Sequence, residues 1–285
     1  LVDSSLQRES ITMSVIVIDD QVVHYETFGR GRPVLFLHGW LGSWRYWMPT
    51  MEFVSKDFRT YSFDFWGFGD SDKTSTAKSI SITNFSDQVI RFLDAMGIDK
   101  VPLVGHSMGG MVALKTAIRH PNRISRVAAI GAPIVGTSLS GLLKLTDNQY
   151  VSRAMARVPV VTKFLFRWFL GNVNDTAYGE ILDDSVKPTE ESLRRAVGSM
   201  MRTDLRPELE QLTIPTLIIH GARDDIVNPN QADIFLQRDM ANTQVFVMPE
   251  SRHFPFLDEP AQFNKVLHAF LKRPVNEARA AAEAA

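Results

Sequence analysis

The chain has 285 residues, 31 basic against 32 acidic, and 45% of them are hydrophobic. That length suits one large core with an inserted lobe, and near-balanced charge without a basic stripe speaks against a nucleic-acid partner. There is no cysteine, which excludes disulfides, a cysteine nucleophile and thiolate metal sites.

No uninterrupted apolar run approaches the roughly 20 residues of a membrane span. The polar opening stretch LVDSSLQRES is unlike a signal peptide. A cytoplasmic location without stable membrane insertion is therefore expected. Residues 1–10 and the Ala-rich 274–285 read as flexible termini. The oligomeric state stays open.

In chain order, SVIVID and VVHYETFG read as an opening antiparallel pair of strands. PVLFLHG, RTYSFD, VPLVGHS, RVAAIGA, TLIIHG and QVFVMP follow as short runs ending in Gly, Asp, Ser or Pro. Several are almost continuously apolar, as in strands covered on both faces of a parallel sheet. Helical patterns lie between them. Ile82, Phe85, Val89, Phe92, Leu93 and Met96 form one stripe that stops at Gly97. Met111, Val112, Lys115 and Ile118 carry a second helix as far as His120-Pro121, and Phe263, Val266, Leu267, Phe270 and Leu271 a last one. The alternation predicts an α/β fold: a doubly wound, mostly parallel eight-stranded sheet, with ligands at the carboxyl ends of the strands.

One segment interrupts the alternation. From about Pro133 to Pro207 the patterns are helical only. This reads as a helical lobe inserted into a discontinuous core of 11–133 and 207–273. The most apolar part of the lobe is VPVVTKFLFRWFLGN, where Lys163 and Arg167 leave a narrow polar stripe. Two readings stand: a lid helix packed on the core, or an acyl-binding wall or surface that touches lipid transiently.

VPLVGHSMGG carries the chemistry. It contains G-x-S-x-G, as Gly105, Ser107 and Gly109. An apolar strand arrives at His106 and a helix must leave from about Met108, so Ser107 sits on a tight strand-to-helix corner. Gly105 and Gly109 remove side chains that would clash there, and Gly110 lets the helix approach the sheet. The helix N-terminus offers free N–H groups to a developing oxyanion.

A serine hydroxyl needs a base to become a nucleophile. Of the seven histidines, His24 and His268 read as solvated, His120 as a helix-end cap, and His38 and His220 as strand ends before glycines. His106 is directed elsewhere at the corner. His253, in MPESRHFPFLDEP, lies after the last strand at the ligand end of the sheet and is the candidate base. A carboxylate must fix its tautomer. GARDDIV offers Asp224 and Asp225, of which Asp224, three residues beyond the glycine, is favoured. The chain order Ser, Asp, His fits this fold. The oxyanion hole needs two N–H groups, expected from the backbones of Met108 and of Trp40 in LHGWLGS. The Trp40 indole reads equally as a pocket wall or as structure. Leu41, Phe164, Trp168 and Phe254 are the further expected substrate contacts.

HGW at 38–40, DFWGFGDSD at 64–72, GHSMGG at 105–110, GARDDIV at 221–227 and RHFPFLDEP at 252–260 together resemble the α/β-hydrolase superfamily, in its lidded esterase and lipase-like branch. The resemblance spans roughly residues 15–272. It implies a helical cap at 134–206, a structural turn at Asp64–Asp72 and the choice of Asp224 over Asp225. Relatives with an aspartate nucleophile, the haloalkane dehalogenases and epoxide hydrolases, differ at the place of Ser107. SRHFP lacks the glycine common just before the base in relatives, so a different turn is expected there.

The expected function is cleavage of a small carboxylic ester through an acyl-enzyme, with a short- to medium-chain apolar acyl group suggested by the aromatic cap. No metal and no organic cofactor is expected. Alternatives with the same residues are C–C hydrolysis, lactone opening, thioester hydrolysis and perhydrolysis. From another class stands a ligand-binding receptor with little turnover.

Overall fold

The computed structural model describes residues 14–73, 80–170, 177–238, 240 and 242–274. The expected flexible termini fall, apart from Pro274, outside the described residues. Eight strands form one sheet: β1 (Ser14–Ile18), β2 (Gln21–Phe28), β3 (Pro33–Leu37), β4 (Arg59–Phe63), β5 (Val101–His106), β6 (Ile124–Ile130), β7 (Thr216–Gly221) and β8 (Thr243–Met248). Their order is β1-β2-β4-β3-β5-β6-β7-β8. β1 and β2 pair antiparallel, as do β2 and β4, and every later pairing is parallel. β5 lies in the middle, flanked by β3 and β6, so the corner that follows it stands at the centre of the sheet's carboxyl edge.

The core helices are α1 (Met48–Val54), α2 (Ile82–Ala95) and α3 (Met108–Arg119). α2 buries Ile82, Phe85, Val89, Phe92 and Leu93, the stripe read from the sequence. The Ser81 hydroxyl caps it by accepting from the Asn84 amide. Gly97, at φ +66°, ends it in the left-handed conformation that glycine tolerates.

Between β6 and β7 the chain is helical: α4 (Gly141–Leu145), α5 (Gln149–Arg157), α6 (Pro159–Leu170), α7 (Ala177–Asp184) and α8 (Glu190–Arg202). The two ends of this insertion are zipped together. Val135 bridges Asp204, the Leu205 amide donates to Ile134 at 2.9 Å, and the Gly136 amide donates to Thr203 at 2.8 Å. The insertion is also tied to the core by polar side chains. Asp184, buried in the cap, accepts from Ser43 Oγ at 2.5 Å and from Arg45 Nε at 3.0 Å. Lys187 reaches Asp70 at 2.6 Å. After β7 come α9 (Asp233–Leu236), α10 (Pro255–Asp258) and α11 (Pro260–Lys272).

Candidate active site

Ser107 follows β5 at φ +53° and ψ −116°, a backbone conformation that a residue with a side chain adopts only under strain. Its neighbours explain how the strain is held. A Cβ on Gly105 would lie 2.2 Å from the Gly109 carbonyl oxygen, and one on Gly109 would lie 2.4 Å from that of Leu37. No side chain fits at either position, so β3, β5 and α3 close on one another through backbone. The Ser107 amide is fastened to Ile130 of β6 at 2.8 Å.

His253 lies in the loop between β8 and α10, and its Nδ1 is 2.8 Å from Oδ2 of Asp224. Both groups are buried. Asp224 is furnished as an anion. Its Oδ1 accepts from the amides of Ile226 and Val227, both at 2.9 Å, and its Oδ2 faces His253 and, at 3.2 Å, Nε2 of His220. Burial alone would raise its pKa. The charge of His253 and the hydrogen bonds from His220 and His253 outweigh that and hold it well below the usual carboxylate range. An ionised Asp224 keeps the proton of His253 on Nδ1 and leaves Nε2 as the basic nitrogen. Asp225 turns outward instead and pairs with Arg252 at 2.6 Å. Gly131, at φ +53°, follows β6 beside this pair, where a Cβ would stand 3.3 Å from His253 Nδ1.

The turn after β3 runs Gly39-Trp40-Leu41-Gly42 and is closed by the Gly42 amide on the Gly39 carbonyl at 3.1 Å. Leu41 sits in it at φ +61°, wholly buried. The amides of Trp40 and Met108 donate to no acceptor among the described residues. A Cβ on Gly39 would lie 3.1 Å from that of Ser107, so this turn reaches directly over the serine.

The alpha/beta hydrolase fold model matches residues 32–260. The chain is an α/β-hydrolase. Its relatives include a protein of Serratia proteamaculans provisionally named carbamate hydrolase RutD, 25% identical over 89% of this chain and 97% of that one. The pimeloyl-[acyl-carrier protein] methyl ester esterase of Nitrosomonas europaea is 26% identical over 85% and 96%. Among solved structures, an esterase from Exiguobacterium antarcticum superposes with a TM-score of 0.79 at 24% identity, over 91% of this chain and 98% of that one.

Several side chains of this hydrolase lie elsewhere than the sequence suggests. Phe164 and Trp168 do not face the site. They lie on the outer side of α6, 69% and 48% exposed, because the helical phase turns Thr162, Phe166 and Phe169 inward. Phe166 meets the His253 loop from the inner face of α6, with its ring 6.1 Å from that of Phe254, while the Arg252 guanidinium of the same loop lies 5.7 Å over the Trp168 ring. Phe254 itself is buried against the rings of His106 and His253, at 4.6 and 5.2 Å. The Trp40 indole does a third thing: its Nε1 donates to the Leu193 carbonyl of α8 at 3.1 Å and so ties the Gly39–Gly42 turn to the inserted helices.

His24 is not solvated but buried, 3.2 Å from Asp64 and 3.3 Å from Glu26. His268 is partly covered and pairs with Asp57 at 2.7 Å. Asp64 is the hub of the DFWGFGDSD turn, since its carboxylate accepts from the amides of Trp44 and Asp70, both at 2.8 Å. Among the described residues, His24, Asp64 and Asp70 are also the group spaced for a metal ion. Their atoms are engaged by those amides and by Lys187, which marks a structural cluster. A polar cavity of about 620 Å³ lies beside the point where the insertion joins the core, lined by Arg206, Asn228, Gln231 and Arg238 among others, and includes neither Ser107 nor His253.

Sequence reasoning missed a buried chain of hydrogen bonds behind the site. The Gly39 amide donates to the Tyr46 hydroxyl. That hydroxyl donates to His106 Nδ1 at 3.1 Å, and His106 Nε2 donates to the His253 carbonyl at 2.8 Å. Burial pushes the Tyr46 phenol pKa up and, with the His253 charge, the His106 imidazole pKa far down, so both stay neutral. WRYW had no periodic signal that could have singled out Tyr46.

Proposed function

We propose that this hydrolase cleaves small carboxylic esters through an acyl-enzyme, with Ser107 as nucleophile, His253 as general base and acid, and Asp224 as the group that orients and charges against the imidazole. The observation that carries this reading is the 2.8 Å Asp224–His253 contact, with Asp224 held ionised, on the loop that packs against the strained Ser107 corner. His253 takes the proton of Ser107 as the hydroxyl attacks the acyl carbon. The Met108 and Trp40 amides donate to the oxyanion, each donor being worth roughly 3–4 kcal/mol in the transition state. His253 then protonates the leaving alcohol and afterwards activates water, which releases the acid. No step calls for a metal or organic cofactor. Trp40, Leu41, Phe254 and Phe166 supply an apolar setting that suits a short- to medium-chain apolar acyl group. Esterase names among the relatives agree with ester hydrolysis.

The test is a fluorophosphonate label together with nitrophenyl esters of increasing chain length. Labelling should vanish in Ser107→Ala, with kcat/KM falling on the order of 10⁴–10⁶-fold. An optimum at an apolar acyl group of short to medium length is expected; preference for a charged or sugar-like acyl group would refute the assignment. The name of the Serratia relative gives carbamate hydrolysis as a second reading, because the same residues would serve a carbamoyl carbon. A nitrophenyl carbamate in the same panel separates the two by kcat/KM.

A further inference from the structure

Most of the large hydrophobic side chains exposed among the described residues lie between Leu142 and Trp168. On α6 they form a stripe. Val160, Phe164 and Trp168 recur every four residues on one face, and Val160 is 75% exposed. Val158 and Val161 widen the stripe, and Leu145 on α4 and Tyr150 on α5 are exposed as well. The charges on its own stretch of chain are mostly basic, although α7 beside it brings the acids Glu180 and Asp183. Between Gly141 and Leu170 the cations are Lys144, Arg153, Arg157, Lys163 and Arg167, against the single acid Asp147, in a chain whose net charge is −1. Arg153 pairs with Glu190 and Lys163 with Asp183, but Arg157 and Arg167 have no ion-pair partner among the described residues.

We propose that the outer face of α6, with Arg157 and Arg167 at its margins, docks this protein on an anionic lipid bilayer. An amphipathic helix with aromatic and aliphatic residues on one side and basic residues beside them lies in the plane of a membrane interface, apolar side down, with arginine stems reaching back to the headgroups. A second copy of the chain fits this face less well, because two-fold pairing would set the unpaired cations of one copy against those of the other. The inner face of the same helix carries Phe166 onto Phe254, next to His253, and Arg252 Nη1 donates to the Trp168 carbonyl at 3.2 Å. A bilayer on the outer face therefore sits one helix diameter, about 10 Å, from the base loop. Docking does not depend on the proposed ester chemistry.

The test is co-sedimentation of the full chain with vesicles of phosphatidylcholine alone and of phosphatidylcholine mixed with phosphatidylglycerol. Wild type should pellet with the mixed vesicles and not with phosphatidylcholine alone, and less as salt rises. Arg157→Gln with Arg167→Gln should weaken partitioning roughly thirtyfold, about fivefold for each charge near an anionic surface. Val160→Ser with Phe164→Ser should remove it, with the unfolding midpoint unchanged because both side chains are exposed. Ser107→Ala should bind as wild type does, which separates docking from catalysis. Absence of pelleting, equal binding to both vesicle types, or unweakened binding by the arginine pair variant would overturn the proposal. So would a lipid-free dimer that the serine pair variant dissolves.

Discussion

The Tyr46 hydroxyl lies 3.1 Å from Nδ1 of His106, and through that contact the Gly39–Gly42 turn and the His253 loop hang on one hydrogen-bond chain. Tyr46→Phe keeps the ring packing against Trp47 and Phe256 but removes the link. It leaves the Gly39 amide and the His106 ring nitrogen buried without partners, at about 1–3 kcal/mol each. Stability in urea should fall by that order. Because the turn and the loop both lose a tether, kcat should fall about tenfold or more with KM little changed. A drop in stability with full kcat would show that the chain serves folding alone.

Asp224 and Asp225 are neighbours with opposite surroundings. Asp224→Asn keeps the shape but gives His253 an amide that cannot stabilise the imidazolium, and kcat should fall about 10⁴-fold. Asp225→Asn breaks only the half-exposed pair with Arg252, a contact worth at most about 1 kcal/mol, and activity should stay within a few-fold. Steady-state kinetics on one soluble ester compares the two.

The glycines around the corner differ from the glycine at the end of α2. An added Cβ at Gly105 meets the Gly109 carbonyl at 2.2 Å, and only backbone movement can relieve that. Gly105→Ala should therefore cost several kcal/mol or abolish soluble expression. At Gly97 an added Cβ meets nothing within 4 Å, and the cost is that of the left-handed backbone alone, roughly 1–2 kcal/mol. Urea unfolding of Gly97→Ala, beside the expression yield of Gly105→Ala, reads out both.

His24 makes stability depend on pH. Burial pulls its pKa down, but the hydrogen bond and charge of Asp64 and the charge of Glu26 prevail and leave it raised. A raised folded pKa means that the contribution is complete below the ordinary imidazole range and is lost as pH rises through the folded value. The stability gap between wild type and His24→Gln should thus be widest near pH 6 and narrow toward pH 8, about the window in which a raised imidazole titrates. A gap that is constant or grows with pH would contradict the protonated assignment.

Much was legible before any coordinate. Alternating apolar runs and turn residues were enough for all eight strands, because a buried parallel strand must be apolar on both faces and must end in residues that leave the sheet. Gly105, Ser107 and Gly109 announced the corner, since close backbone approach admits glycine only. Local patterns could not decide where side chains point once elements pack. On α6, aromatic residues fall on both faces, so composition placed Phe164 and Trp168 toward the site while the helical phase sent Phe166 there. His24 looked like a strand residue facing water; only the pairing of β2 with β4 brings it against Asp64, forty residues away.

What the sequence determined by itself is the order of elements and the identity of the candidate Ser, Asp and His, because strand period, glycine corners and chain order are local properties. What only the tertiary structure decided is which groups meet: Trp40 on Leu193 of α8, Phe166 on Phe254, and Tyr46 between Gly39 and His106. Those contacts join segments far apart in the chain, and their geometry is set by how the sheet twists and how helices pack on it, which no local spacing encodes.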